Sequence, residues 1–156
     1  MPKVPVQFTL NGSERAEFVE SGTTLLTALR DKCGDTSPKG GCHQGTCGAC
    51  AVLVDGALRL SCLTLAETCE GASIRTAAGL ARPGALSPLQ QAFLDGFAVQ
   101  CGFCAPGMLM AATALLERNP SPDRADVVEA LSGNICRCTG YEPIIKAVLA
   151  ASRAAA

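Results

Sequence analysis

The sequence predicts an α+β protein in two parts: a small mixed β-sheet crossed by one helix, followed by a four-helix bundle. Three observations carry that prediction. Period-two alternation and Asn-Gly or Asp-Gly turns run as far as Thr76 and then cease. From Ser87 onward, helix caps and apolar residues at helical spacing replace them. The chain has ten cysteines in 156 residues, most of them in two separated groups, one in each part.

Val4 to Leu10 is the first strand, with Val4, Val6, Phe8 and Leu10 on one face. Asn11-Gly12 turns it into a returning strand, Glu14 to Val19. Ser21 to Thr24 offers an N-cap, and Leu25, Leu26 and Leu29 form the apolar side of a helix ending near Lys32. After a Gly- and Pro-containing approach and a cysteine-rich loop, Ala51 to Val54 and Ala57 to Leu60 form a hairpin about Asp55-Gly56. A short helix (Leu63 to Thr68) and a last strand (Ser73 to Thr76) close this half. Residues 77–86 read as a linker. Ser87-Pro88 is an N-cap followed by proline at the first helical position, with Leu89, Phe93 and Phe97 repeating every four residues as core. A second helix, Pro106 to Arg118, buries Met108, Leu109, Ala112, Leu115 and Leu116. Asn119-Pro120-Ser121-Pro122 ends it and caps a third, with Val127, Val128 and Leu131 inward. Gly133-Asn134 stops that helix, and Ile144, Ile145, Val148 and Leu149 mark a fourth. The expected division is 1–78, a linker at 79–86, and 87–156.

Charged residues make up only 17% of the chain, the net charge is −1, and there is no basic stripe. Nucleic acid is therefore excluded as a partner, and so little charge suggests that part of the surface is covered by another chain. The longest apolar run, Phe103 to Leu116, is broken by Pro106 and Gly107 and is too short for membrane insertion. Met1-Pro2-Lys3-Val4-Pro5 lacks an apolar signal core. The expected compartment is the reducing cytoplasm, where grouped cysteines are metal ligands or catalytic rather than disulfides.

Cys42, Cys47 and Cys50 stand at C-x4-C-x2-C, with glycine at 40, 41, 45 and 48 and a fourth cysteine at Cys62. This is the plant-type ligand pattern of a [2Fe-2S] cluster. A loop around a cluster must bring N–H groups close to sulfur and adopt positive φ, which glycine permits. The second group lies at the helix junctions: Cys101 and Cys104 between the first and second helices of the bundle, Cys136 and Cys138 between the third and fourth. Residues i and i+2 point the same way only in extended chain, so Cys136 and Cys138 can face one site only from a non-helical turn. Antiparallel helix pairs could bring both junctions to one end, giving a second four-thiolate site.

Together, GCHQGTCGAC (41–50) with Cys62, QCGFCAPGM (100–108) and GNICRCTGY (133–141) resemble the small iron–sulfur subunit of the xanthine oxidase family of molybdenum hydroxylases. The resemblance runs nearly the whole chain in order. It implies a β-grasp plant-type ferredoxin domain followed by a four-helix domain, each with one [2Fe-2S] cluster. It also implies hydroxylation of substrate, with oxygen from water, at a molybdopterin (or molybdopterin dinucleotide) site in a separate large subunit. Electrons would then pass through the helical-domain cluster and the ferredoxin-domain cluster to FAD in a medium subunit or to another acceptor. The expected assembly is a heterotrimer or a dimer of heterotrimers. By position, Cys101, Cys104, Cys136 and Cys138 hold the cluster near molybdenum, and Cys42, Cys47, Cys50 and Cys62 the one facing the flavin. Gln100 takes the place of the family's pterin-bonding glutamine, and Cys138 is the ligand closest to the pterin. No residue of this chain is assigned a catalytic role, and the substrate pocket belongs to another chain.

Simpler readings stand beside this one. Cys47/Cys50 and Cys101/Cys104 would also suit a zinc ribbon, which leaves the other four motif cysteines unexplained. Cys101-Gly102-Phe103-Cys104 is similar to a thiol–disulfide motif, but a helix precedes it where a strand is required. His43 is the only histidine, and a Rieske centre needs two. It is expected to make a backbone hydrogen bond in its loop. Cys33 and Cys69 match neither motif and are expected as small buried residues. Arg137 could offset cluster charge, meet a partner or simply lie exposed in its turn.

Overall fold

Ala51–Val54 is apolar at every position, as expected of a strand covered on both faces. The computed structural model, which describes residues 2–154, places this strand at the seam between the two halves. Its side chains alternate. Val52 enters a core with Val6, Phe8, Leu25, Leu29 and Ile74, whereas Ala51 and Leu53 enter the core of the helical half.

Strands β1 (Lys3–Leu10), β2 (Ser13–Glu20), β3 (Ala51–Val54), β4 (Ala57–Leu60) and β5 (Ser73–Arg75) form one sheet in the order β2-β1-β5-β3-β4. Only β1 and β5 run parallel. Helix α1 begins at Leu25–Thr27, where Thr24 accepts the Thr27 N–H, and widens into a π turn over Ala28–Lys32. The regular helix expected to Lys32 is thus α-helical only in its first turn. The short helix expected at Leu63–Thr68 is a 3₁₀ turn at Ala66–Cys69. In the region read as a linker, Ala77–Leu80 is a 3₁₀ turn, with Ala77 buried and Leu80 packed on the bundle core. Only the stretch after it runs free of the core, closed by one bridge between Arg82 and Ala85.

The second half contains α2 (Pro88–Asp95), α3 (Ala105–Arg118), α4 (Arg124–Leu131) and α5 (Glu142–Ala154). Ser87 and Gln90 form a capping box at the start of α2. Phe97 does not continue the Leu89–Phe93 stripe. The helix stops at Gly96, Phe97 takes φ +51°, and its N–H donates to Leu94 while the Ala98 N–H donates to Phe93. This is a Schellman stop. It turns Ala98 inward and leaves Phe97 83% exposed. Val128 also differs from expectation, at 46% exposed, since α4 buries only Val127 and Leu131. The cap of α4 is Asp123, reciprocated by Asp126, rather than the Asn119–Pro122 segment. An Arg75–Glu117 ion pair of 2.7 Å links β5 to α3 across the seam. Among the described residues, no helix is long and apolar enough to cross a membrane.

Candidate iron–sulfur sites

Gly40–Cys50 wraps outward between α1 and β3, with His43, Gly45 and Gly48 at positive φ. That winding aims successive N–H groups at one sulfur. Gln44 and Thr46 donate their backbone N–H to Cys42 Sγ at 3.5 and 3.3 Å. Hydrogen bonds from Gln44 and then Thr46 draw the Cys42 thiol down to about 5. Cys47 lies beside Cys42, and its thiol is raised mainly by burial. Cys50 and Cys62 are buried together with Leu26. Burial, then the adjacent Cys50 thiol, pushes Cys62 up to about 11. Ser61, fully buried, ties these two by donating both its hydroxyl and its N–H to the Cys50 carbonyl. Nothing in the sequence distinguished this serine, because its burial follows from the β4 register.

The second group gathers at one end of the bundle, as the antiparallel pairing of helices predicted. Cys101 Sγ lies 3.6 Å from Cys138 Sγ. Cys104 stands against Cys136, and burial followed by that neighbour pushes Cys104 up to about 12. Burial alone would raise Cys136, but Thr139 and nearby N–H donors outweigh it and hold the thiol below its ordinary value. Cys138 is raised by sharing a hydrogen bond with Cys101. Residues 136–140 are non-helical, the turn that the C-x-C spacing requires. Tyr141, at φ +68°, fixes it: its hydroxyl accepts the Cys136 N–H at 3.0 Å and donates to the Asn134 carbonyl at 3.2 Å.

The eight motif cysteines therefore occur as four neighbouring pairs: 42/47, 50/62, 101/138 and 104/136. Two pairs per site suit two irons with two thiolates each, whereas zinc asks for four ligands about one point. The donor sets thus fit [2Fe-2S] clusters.

Gln100, Cys101 and Cys138 are all exposed, and the two sulfurs lie side by side. Cys69 is buried and donates to the Leu65 carbonyl, and Cys33 is half-buried against the sheet core, both away from the paired thiols. Instead of the expected backbone bond, His43 lies exposed in the loop with its ring against Gly40. Arg137 is exposed beside Cys138.

Family models place a 2Fe-2S iron-sulfur cluster binding domain over residues 8–76 and a [2Fe-2S] binding domain over 76–149. The chain is 53% identical to the nicotine 6-hydroxylase small subunit of Paenarthrobacter nicotinovorans over 147 residues, 94% of this chain and 88% of that one. It is 46% identical to the xanthine dehydrogenase iron-sulfur-binding subunit of Escherichia coli O157:H7, covering 94% and 92%. Quinoline 2-oxidoreductase from Pseudomonas putida 86 contains a chain that superimposes with a TM-score of 0.95 at 48% identity, covering 98% and 96%. In aldehyde oxidoreductase of Desulfovibrio desulfuricans ATCC 27774 the match is 0.94 at 40% identity, covering 97% of this chain but 17% of a much longer one. The fold, the two cluster-binding domains and these relatives agree: the chain belongs to the family of iron–sulfur electron-transfer subunits of the molybdenum hydroxylases.

Proposed function

We propose that Cys42, Cys47, Cys50 and Cys62 bind one [2Fe-2S] cluster and Cys101, Cys104, Cys136 and Cys138 the other. The observation that carries this is the arrangement of eight thiols as four close pairs, two pairs to a site. When bound, the clusters supply one-electron relay between a molybdenum–pterin site and a flavin or other acceptor. The chain's own part is to hold the thiolates, stabilise charge on Cys42 with two N–H donors, and shield Cys50 and Cys62 from water. We divide the chain at 1–78 and 87–156, with a linker between.

The helical site faces a large molybdopterin subunit in this reading. Exposed Phe97, Phe103 and Ile135, beside exposed Gln100 and Cys138, support it, since apolar surface around an open thiol site marks a covered face. Gln100 would hydrogen-bond the pterin. Exposed Leu63 and Leu65 beside the other site suit a medium FAD subunit. In this reading the assembly is a heterotrimer or a dimer of heterotrimers in the cytoplasm; that two relatives are named as subunits supports a multi-chain enzyme. Low-temperature EPR of the dithionite-reduced chain, with iron and sulfide assayed together, tests the ligand assignment. Two signals of equal intensity with about four iron and four sulfide per chain are expected. Zinc without sulfide would overturn it.

A further inference from the structure

The sheet has two outer strands, β2 and β4. β2 is guarded: Glu14, Arg15, Glu17 and Glu20 put charge along it, a common defence against pairing with another chain. β4 carries only Arg59, and its Leu58 is 40% exposed. Backbone groups in an antiparallel sheet point alternately to one neighbour and the other. The Asp55 N–H donates to the Ser73 carbonyl in β5, and the Ser61 N–H donates back to the Cys50 carbonyl just before β3. Counting back along each strand, β4 turns the backbone of Ala57 and Arg59 towards β3. The Leu58 N–H and carbonyl and the Leu60 N–H therefore point outward, where the described residues offer no further strand.

A groove lies beside this edge. Leu58 is the cross-strand partner of Leu53 and faces the same way, towards the bundle. Leu53 is fully buried there, but Leu58 opens on a cavity of about 540 Å³. Ala111, Ala114 and Leu115 line it, and exposed Arg118 and Glu129 stand at its rim.

We propose that β4 is a docking edge, to which an extended segment of another chain adds as a sixth strand, with an acidic side chain opposite Arg59 and apolar neighbours in the groove. The inference rests on the reading of this chain as one subunit of a multi-chain enzyme. Free main-chain groups two residues apart match extended backbone and not a helix. A second copy of this chain fits poorly. The antiparallel register that uses both Leu58 and Leu60 sets Arg59 directly opposite its counterpart, and like charges so placed repel. Arg59 is exposed and, among the described residues, joins no ion pair, so an acidic residue complements it. Alternation then puts the neighbours of that residue on the groove face, beside Leu58.

The test compares amide hydrogen exchange, resolved by residue, in the full chain alone and in the complex that copurifies with the tagged chain. In the complex the Leu58 amide should exchange about tenfold more slowly, since it gains a hydrogen bond. The Ala57 and Arg59 amides, bonded to β3 in both, should not change. Arg59→Glu should weaken assembly by about tenfold, by setting like charges opposite each other, and Arg59→Lys should not. Both variants alter an exposed side chain and should unfold at the wild-type temperature. Leu58 exchanging in the complex at its free-chain rate overturns the proposal, as does Arg59→Glu assembling at wild-type affinity. Protection of Leu58 that grows with concentration in the isolated chain would assign the edge to a second copy, and overturns it as well. A tagged chain that brings down no other subunit would overturn the multi-chain reading, and the docking edge with it.

Discussion

The two cysteine loops solve one problem by different means. The first is nearly continuous in sequence, and its sulfurs are approached by main-chain N–H groups of the same loop. The second is assembled from two helix junctions about 35 residues apart, and side chains join the backbone N–H donors in holding it: Tyr141 on the Cys136 N–H, Thr139 on the Cys136 sulfur and Asn134 on the Gly48 carbonyl of the first loop. A loop that carries its own donors depends on its backbone conformation. A site stitched from two junctions depends on the bundle that aligns them. The first should therefore be sensitive to glycine replacement and the second to packing and hydroxyl loss.

The sharpest break is removal of one thiol. Cys104→Ser should abolish the second EPR signal and retain the first; loss of both would show that the shared strand β3 makes the two halves one cooperative unit. Next comes Gly48→Ala, at φ +70° with no room for a Cβ. It should destabilise the chain by roughly 1–3 kcal/mol and broaden both signals, since it disturbs the first loop and the Asn134 contact together. Thermal unfolding alongside EPR checks this. Tyr141→Phe should lower stability by about 1 kcal/mol and perturb only the second signal.

The loops also differ in their thiols once iron is removed. Cys42, drawn down to about 5 by its N–H donors, is a thiolate at pH 7, while Cys62 (about 11) and Cys104 (about 12) remain protonated. Limiting iodoacetamide should label Cys42 first, and the preference should fade as pH falls through 5; mass spectrometry of the peptides reads it directly. The smallest effect belongs to Cys69→Ala. It should leave both signals intact and cost roughly 1 kcal/mol for a small cavity under the sheet.

Much of this was legible in the chain. Alternation in Val4–Leu10, the turns at Asn11-Gly12 and Asp55-Gly56, and the Ser87 cap each encode a local preference, and those elements formed where expected, as did the four helices after Ser87, although α4 is capped by Asp123 rather than by the Asn119–Pro122 segment. The spacing of Cys42, Cys47 and Cys50 was legible because it is local, whereas the partnership of Cys101 and Cys104 with Cys138 and Cys136 joins distant residues and depends on how the bundle aligns its junctions. Phe97 and Val128 misled because periodicity records which residues can be buried. It does not record where a Schellman stop ends a helix, or how much of a short helix its neighbours cover.

By itself, then, the sequence determined the fold class, since strand alternation, turns and helix caps rest on interactions among residues near in the chain. Only the tertiary structure decided which thiols pair, that β3 serves two cores, and that Asn134 and Ser61 are buried beside them. Those outcomes depend on the register of distant elements, which a linear pattern of residue types does not carry.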